Sequence, residues 1–168
     1  MLPNIGAAAL TRLRRAIEDI LVVTFLIMLA AVLIQVVGRF IDGFSFIGTE
    51  EIANFAQLWL VLVGSGVAMR YGRHVAVDSL VTQLPIPIAR VLNILIALGS
   101  IWFLGIVFVG ALPLVDMGFI EASPAMQIPM WTMYLSLNVG AIYFGLEVVM
   151  WVARRWHDPY GKYEIRED

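Results

Sequence analysis

Residues 20–37 read ILVVTFLIMLAAVLIQVV, without one charged side chain. A membrane-spanning helix needs roughly 20 mostly apolar residues, within a range of about 17–25. This run is long enough to cross a bilayer, and three more of the same kind follow it. They are Ala53–Met69, ANFAQLWLVLVGSGVAM, then Val91–Leu112, ended by Pro113, then Met130–Ala153. None holds a lysine or arginine. The connections are short, so the chain reads as one membrane domain over residues 1–168, all-α, with four spans and no sizeable soluble part.

Composition agrees. Of 168 residues, 61% are hydrophobic and 14% charged, against about 45–50% apolar and about 25% charged in soluble domains. That leaves too little polar surface to coat a globule, and lipid is the expected solvent. The formal net charge of −2 gives no case for a nucleic-acid partner. With no cysteine present, thiolate metal sites, iron–sulfur clusters and thiol nucleophiles are excluded. Arg12, Arg14 and Arg15 ahead of the first run have the polarity of a secretion signal, but the run exceeds the usual core of about 7–15 residues. It is expected to be a retained first helix.

Charge placement predicts orientation. If the helices alternate, ten of the eleven basic residues fall on one side, and Arg39 alone falls on the other with Asp42, Glu50, Glu51, Asp116 and Glu121. Basic loops stay cytoplasmic, so both termini are expected there. Trp131 and Tyr134 at one end of the fourth span, with Trp151 and Trp156 at the other, fit interfacial aromatic belts.

The second connection opens with RYGRHVAVD, residues 70–78. Topology and attraction to anionic headgroups account for Arg70 and Arg73. Beyond them Val77, Leu80, Val81 and Leu84 recur at helical spacing with polar residues between, the pattern of an amphipathic helix over about 75–84 that lies flat at the interface. His74 and Asp78, four apart, can pair on it. A lone loop histidine is no metal site, and His157, the other histidine, has no metal-ligand spacing around it. In the first connection, GTEEIANFAQ at 48–57 predicts a helix start with Thr49 as cap and Glu50 and Glu51 favouring the macrodipole. A contact of these acids with Arg39 or a partner subunit is the alternative.

Polar groups within spans are few: Gln35, Asn54, Gln57, Asn93, Asn138 and Glu147. The amides are expected to bond across helices. Glu147, the one ionisable group, lies two turns before Arg154 and Arg155, so snorkelling or an arginine pair is expected, with a proton-relay or ion-site role as the alternative. Trp59, in mid-span, is expected to pack against protein. Small residues (Gly64–Ala68, Gly99, Ser100, Gly105, Gly140, Ala141, Gly145) predict close helix approach. The residues supply no catalytic triad, no carboxylate pair within a span and no phosphate loop, so no enzyme is expected.

The ordered set Glu50-Glu51, Trp59, Gly64–Ala68, Arg70, His74, Val77-Asp78, Leu84-Pro85 and Arg90, followed by Ser123, Ile128-Pro129 and Tyr134, resembles the small membrane subunit (Q, or DctQ-type) of tripartite ATP-independent periplasmic (TRAP) transporters. The resemblance covers nearly the whole chain. It departs at Asn138-Val139-Gly140, where the family often has Pro-x-Gly, which bears on a local kink. The resemblance implies a multi-pass protein of the bacterial inner membrane. Its partners would be a large membrane (M) subunit, which carries the substrate and sodium sites, and a periplasmic substrate-binding (P) protein. This chain would brace the large subunit during uptake of an organic acid or related solute, with no cofactor of its own. Arg39, Glu50, Glu51, Trp59, Arg70, Arg73, His74 and Asp78 are then the candidates for contact with partners or the interface. A small homo-oligomeric channel or exporter, lined by Glu147, Gln57 or Asn54, is the other class the residues leave open.

Overall fold

The computed structural model describes residues 5–41, 47–71 and 85–157. Four helices account for most of them: α1 Ile5–Gly38, α2 Thr49–Arg70, α3 Ile86–Met117 and α4 Trp131–His157. Among the described residues, these four are long and apolar enough to cross a membrane. The all-α, four-span reading therefore holds. The proposed interfacial helix at 75–84, with Arg73, His74 and Asp78, lies outside the described residues.

Each helix runs beyond its apolar core. The first starts at Ile5 and not at Ile20, so Arg12, Arg14 and Arg15 stand on helical turns. The third corrects two expectations. Its start is Ile86, with Pro85 at the N-cap and Pro87 in the first turn, where a missing N–H costs nothing because no acceptor waits for it. It also runs through Pro113 to Met117 instead of stopping at the proline. A proline in lipid removes one backbone bond, whereas ending the helix there would strand several.

The chain divides into two compact units. The first joins residues 1–61 with the segment 123–128. Within it, Gly48 adopts φ +97°, open to glycine but strained for other residues. Its carbonyl accepts from Ile52 N at 3.0 Å. Gly48, not Thr49, is thus the residue that opens α2, and Glu50 and Glu51 occupy its first turn as expected.

The second unit holds residues 62–122 and 129–168. Here α3 and α4 pack along their length, around a small core of Met69, Ala97, Val148 and Trp151. The hairpin is closed by Trp131 N donating to Gly118 O (3.1 Å) and Met130 N donating to Glu121 O (3.0 Å), with Phe119 stacked on Trp131 at 5.4 Å. Two of the small residues are true contact points. A Cβ on Gly140 would lie 2.8 Å from Leu62 Cβ and 3.0 Å from its backbone, and one on Gly66 would strike the Tyr143 ring. Gly64, Gly99 and Gly105 meet nothing within 4 Å among the described residues, so the expected close approach is not seen there.

Overpacking a close contact costs about 1–3 kcal/mol. Gly140→Leu is therefore expected to lower the thermal unfolding midpoint in detergent by several degrees. Gly99→Leu, with nothing within 4 Å of its Cβ, is expected to leave it unchanged. Equal effects from the two would contradict the packing described.

Candidate functional site

Glu51 ties α2 to a segment 74 residues away in sequence. Its Oε1 accepts from Ala125 N at 2.7 Å and its Oε2 from Met126 N at 2.9 Å. The Ser123 hydroxyl donates to the same carboxylate and accepts from Ile128 N at 3.1 Å. Ser123 N also donates to Ile128 O at 2.8 Å, and Gln127 N to Ser123 O at 3.1 Å. Together these bonds form a tight turn in which Gln127 takes a left-handed φ of 56°. Met126 lies over Gly48, where a Cβ would come within 2.6 Å of its Cγ. Two parallel N–H groups on one carboxylate are a charge-assisted clamp, stronger than neutral pairs. Arg39 is exposed and takes no part in it. Both oxygens of Glu51 go to backbone amides.

Glu50, one position earlier, points elsewhere. With Asn54, Gln57 and Val61 it lies at i, i+4, i+7 and i+11, one face of α2. All four are exposed. Facing them on α1 are Val32 and Gln35, and the space between is an open groove of about 480 Å³. Gln35 Nε2 is sequestered and has no hydrogen-bond partner among the described residues. The expectation that amides bond across helices is met by Asn138, whose Nδ2 donates to Phe108 O on α3 at 3.0 Å. For Asn54 and Gln57 it is not: they face outward. Trp59 is half-buried on the same helix.

At the other end of α2, the Arg70 Nη2 donates to Tyr71 Oη at 3.2 Å, and its guanidinium lies 4.8 Å from that ring's centre. A cation at a helix C-terminus also meets the macrodipole favourably, so Arg70 has a local account. Arg90 in the first turns of α3 lies over the Trp156 ring of α4 at 5.9 Å. The space beside them, next to Asn93, is about 10 Å³, room for one water at most. Glu147 is fully buried, beside Val148 and Trp151 of the core. Its burial does not fit a side chain snorkelling into the interface.

The clamp's far half could not be found from spacing. Ser123 stood in the sequence pattern, but nothing local marks residues 125 and 126 as bonded to a glutamate so distant. Glu51→Gln replaces one acceptor oxygen by a donor and should release the turn. Amide hydrogen exchange at Ala125 and Met126 is expected to rise roughly tenfold or more, while Glu50→Gln leaves it unchanged. Unaltered protection in Glu51→Gln would show that the clamp does not hold the turn.

Comparison with known proteins gives the arrangement its context. The family described as tripartite ATP-independent periplasmic transporters, DctQ component, matches residues 28–158. The C4-dicarboxylate TRAP transporter small permease protein DctQ of Rhodobacter capsulatus is 27% identical over 106 residues, 59% of this chain and 44% of that protein. The ectoine TRAP transporter small permease protein TeaB of Halomonas elongata is 29% identical over 150 residues, 87% of this chain and 77% of that protein. This chain thus spans less than half the length of the Rhodobacter protein and about three quarters of the Halomonas one. The family is a membrane subunit of transporters, not an enzyme. The match takes in most of the chain, all of α2, α3 and the Glu51 clamp included, and the chain belongs to the DctQ family of TRAP small permease subunits.

Proposed function

We propose that this chain is a static bracing subunit. It would hold the large membrane subunit of a TRAP transporter in the inner membrane while that subunit moves a solute delivered by a periplasmic binding protein. The observation that carries the reading is the α3–α4 hairpin, fastened at both ends. The backbone bonds of the 118–130 connection close one end and Arg90 over Trp156 joins the other. Asn138 bonded to Phe108 O ties the middle. An element that must stay still while a partner moves needs such closure.

The relatives support a division of labour. Small permeases of similar identity to this chain belong to transporters named for a C4-dicarboxylate and for ectoine, chemically distinct solutes. Substrate choice then lies in the other subunits, as does the sodium coupling proposed for uptake of an organic acid or related solute. Orientation follows from charge: with both termini cytoplasmic, the Glu51 clamp and the 118–130 connection face the periplasm, where the binding protein docks.

Two measurements test this reading. In proteoliposomes, solute uptake by the large subunit and binding protein is expected to fall to background without this chain and return when it is added. Full-rate uptake in its absence would defeat the bracing role. For orientation, a fluorescent protein at the C-terminus should mature and an alkaline phosphatase there should stay inactive. Active phosphatase would invert the topology.

A further inference from the structure

The groove between α1 and α2 is polar where a lipid-facing surface should not be. Glu50, Asn54 and Gln57 share one exposed face, and Gln35 Nε2 across from them has no hydrogen-bond partner among the described residues. Hydrocarbon offers no water to bond such groups, and each amide left bare there is costly. Asn138 shows what a second helix can supply: its Nδ2 donates to Phe108 O on α3. We propose that the groove seats one transmembrane helix of a different membrane protein. That helix brings hydrogen-bonding side chains to Gln35, Asn54 and Gln57, and a basic side chain to Glu50. The proposal rests on the reading of this chain as a subunit, and names the surface through which it meets the large one.

Size and charge select this occupant. About 480 Å³ admits several side chains of a neighbouring helix, far more than one water. A lipid fits poorly: Glu50 and Gln57 are seven residues apart, roughly 10 Å along the axis. A headgroup that met Glu50 would lay acyl chain against the amides. A second copy of this chain also fits poorly. Two copies inserted in the same direction, paired about an axis along the membrane normal, bring Glu50 to Glu50 at the same depth, and like charges there repel. A different chain with a base at that depth and amides or hydroxyls further along satisfies the whole stripe.

The native chain has no cysteine, so single-cysteine variants Asn54→Cys and Gln57→Cys can each carry a benzophenone photocrosslinker in membranes that hold the complete transporter. Adducts with the large subunit are the expected result. The double variant Asn54→Leu/Gln57→Leu should reduce retention of the large subunit roughly tenfold. Because both positions are exposed, it should leave the thermal midpoint of the purified chain unchanged. Adducts confined to lipid or to a second copy of this chain, with the two subunits still co-purifying, overturn the groove proposal and leave the bracing reading standing. Undiminished retention in the double variant does the same. Failure of the subunits to co-purify at all overturns the bracing reading itself, and the groove proposal with it.

Discussion

A peptide group in hydrocarbon has no water to bond, and every N–H and C=O there must find its partner within protein. Much of this chain's architecture follows from that. It explains why the helices overrun their apolar cores, and why Pro85 and Pro87 stand where no backbone bond is lost. It also explains why α3 passes through Pro113. The same need acts at the 118–130 connection. There the backbone leaves the helical pattern, and donors that lack a helical acceptor find Glu121, Gly118, Ser123 or the carboxylate of Glu51. Glu51 acts as the acceptor for two amides, those of Ala125 and Met126, that the turn's own bonds leave over.

Side chains divide along the same line. Short hydroxyls settle within their own helix: Thr24 donates to Ile20 O at 2.8 Å, Ser65 to Leu62 O at 2.7 Å, Ser100 to Ile96 O at 2.9 Å and Ser136 to Met133 O at 2.6 Å. A hydroxyl has one proton to place, and the carbonyl three or four residues back takes it. A carboxamide has two donors and an acceptor, and a helix interior has no free N–H to offer. Amides in spans therefore need a second element. Asn138 has one in α3. Asn54 and Gln57 line the open groove between α1 and α2 and are exposed, which is what makes that groove informative and the serines uninformative.

What was legible in the sequence was whatever depends on local composition. Four apolar runs free of lysine and arginine announce four helices because length and apolarity alone decide whether a segment can cross. Helix ends were less legible: Ile5 and Met117 lie outside the apolar runs, and a proline that breaks a helix in water does not break one in lipid. The acidic pair at 50–51 was visible as a helix start, but its division of roles was not. Glu51 turns inward to a segment 74 residues on while Glu50 faces the groove, and no local periodicity separates them. Glu147 misled for a related reason. Its nearness to Arg154 along the chain suggested the interface, whereas on α4 it is fully buried, next in sequence to the core residue Val148. The glycines show the same limit: composition marks Gly99 and Gly140 alike, and only packing tells that one meets nothing and the other meets Leu62.

Under the bracing role proposed for this chain, the two units would answer different requirements. The α3–α4 hairpin closes its own connection through backbone bonds and ties Asn138 Nδ2 to Phe108 O, while Asn138 Oδ1 has no hydrogen-bond partner among the described residues. The α1–α2 groove carries Asn54, Gln57 and Glu50 on its surface, so a partner helix would give it what lipid cannot. In water, exposed amides would be neutral and would say little about partners. In a bilayer the same groups are unstable without a complement, and that instability supplies both affinity and specificity. Mismatched helices leave Gln35, Asn54 or Gln57 unbonded. On the groove proposal, a small subunit would thereby recognise a single large one.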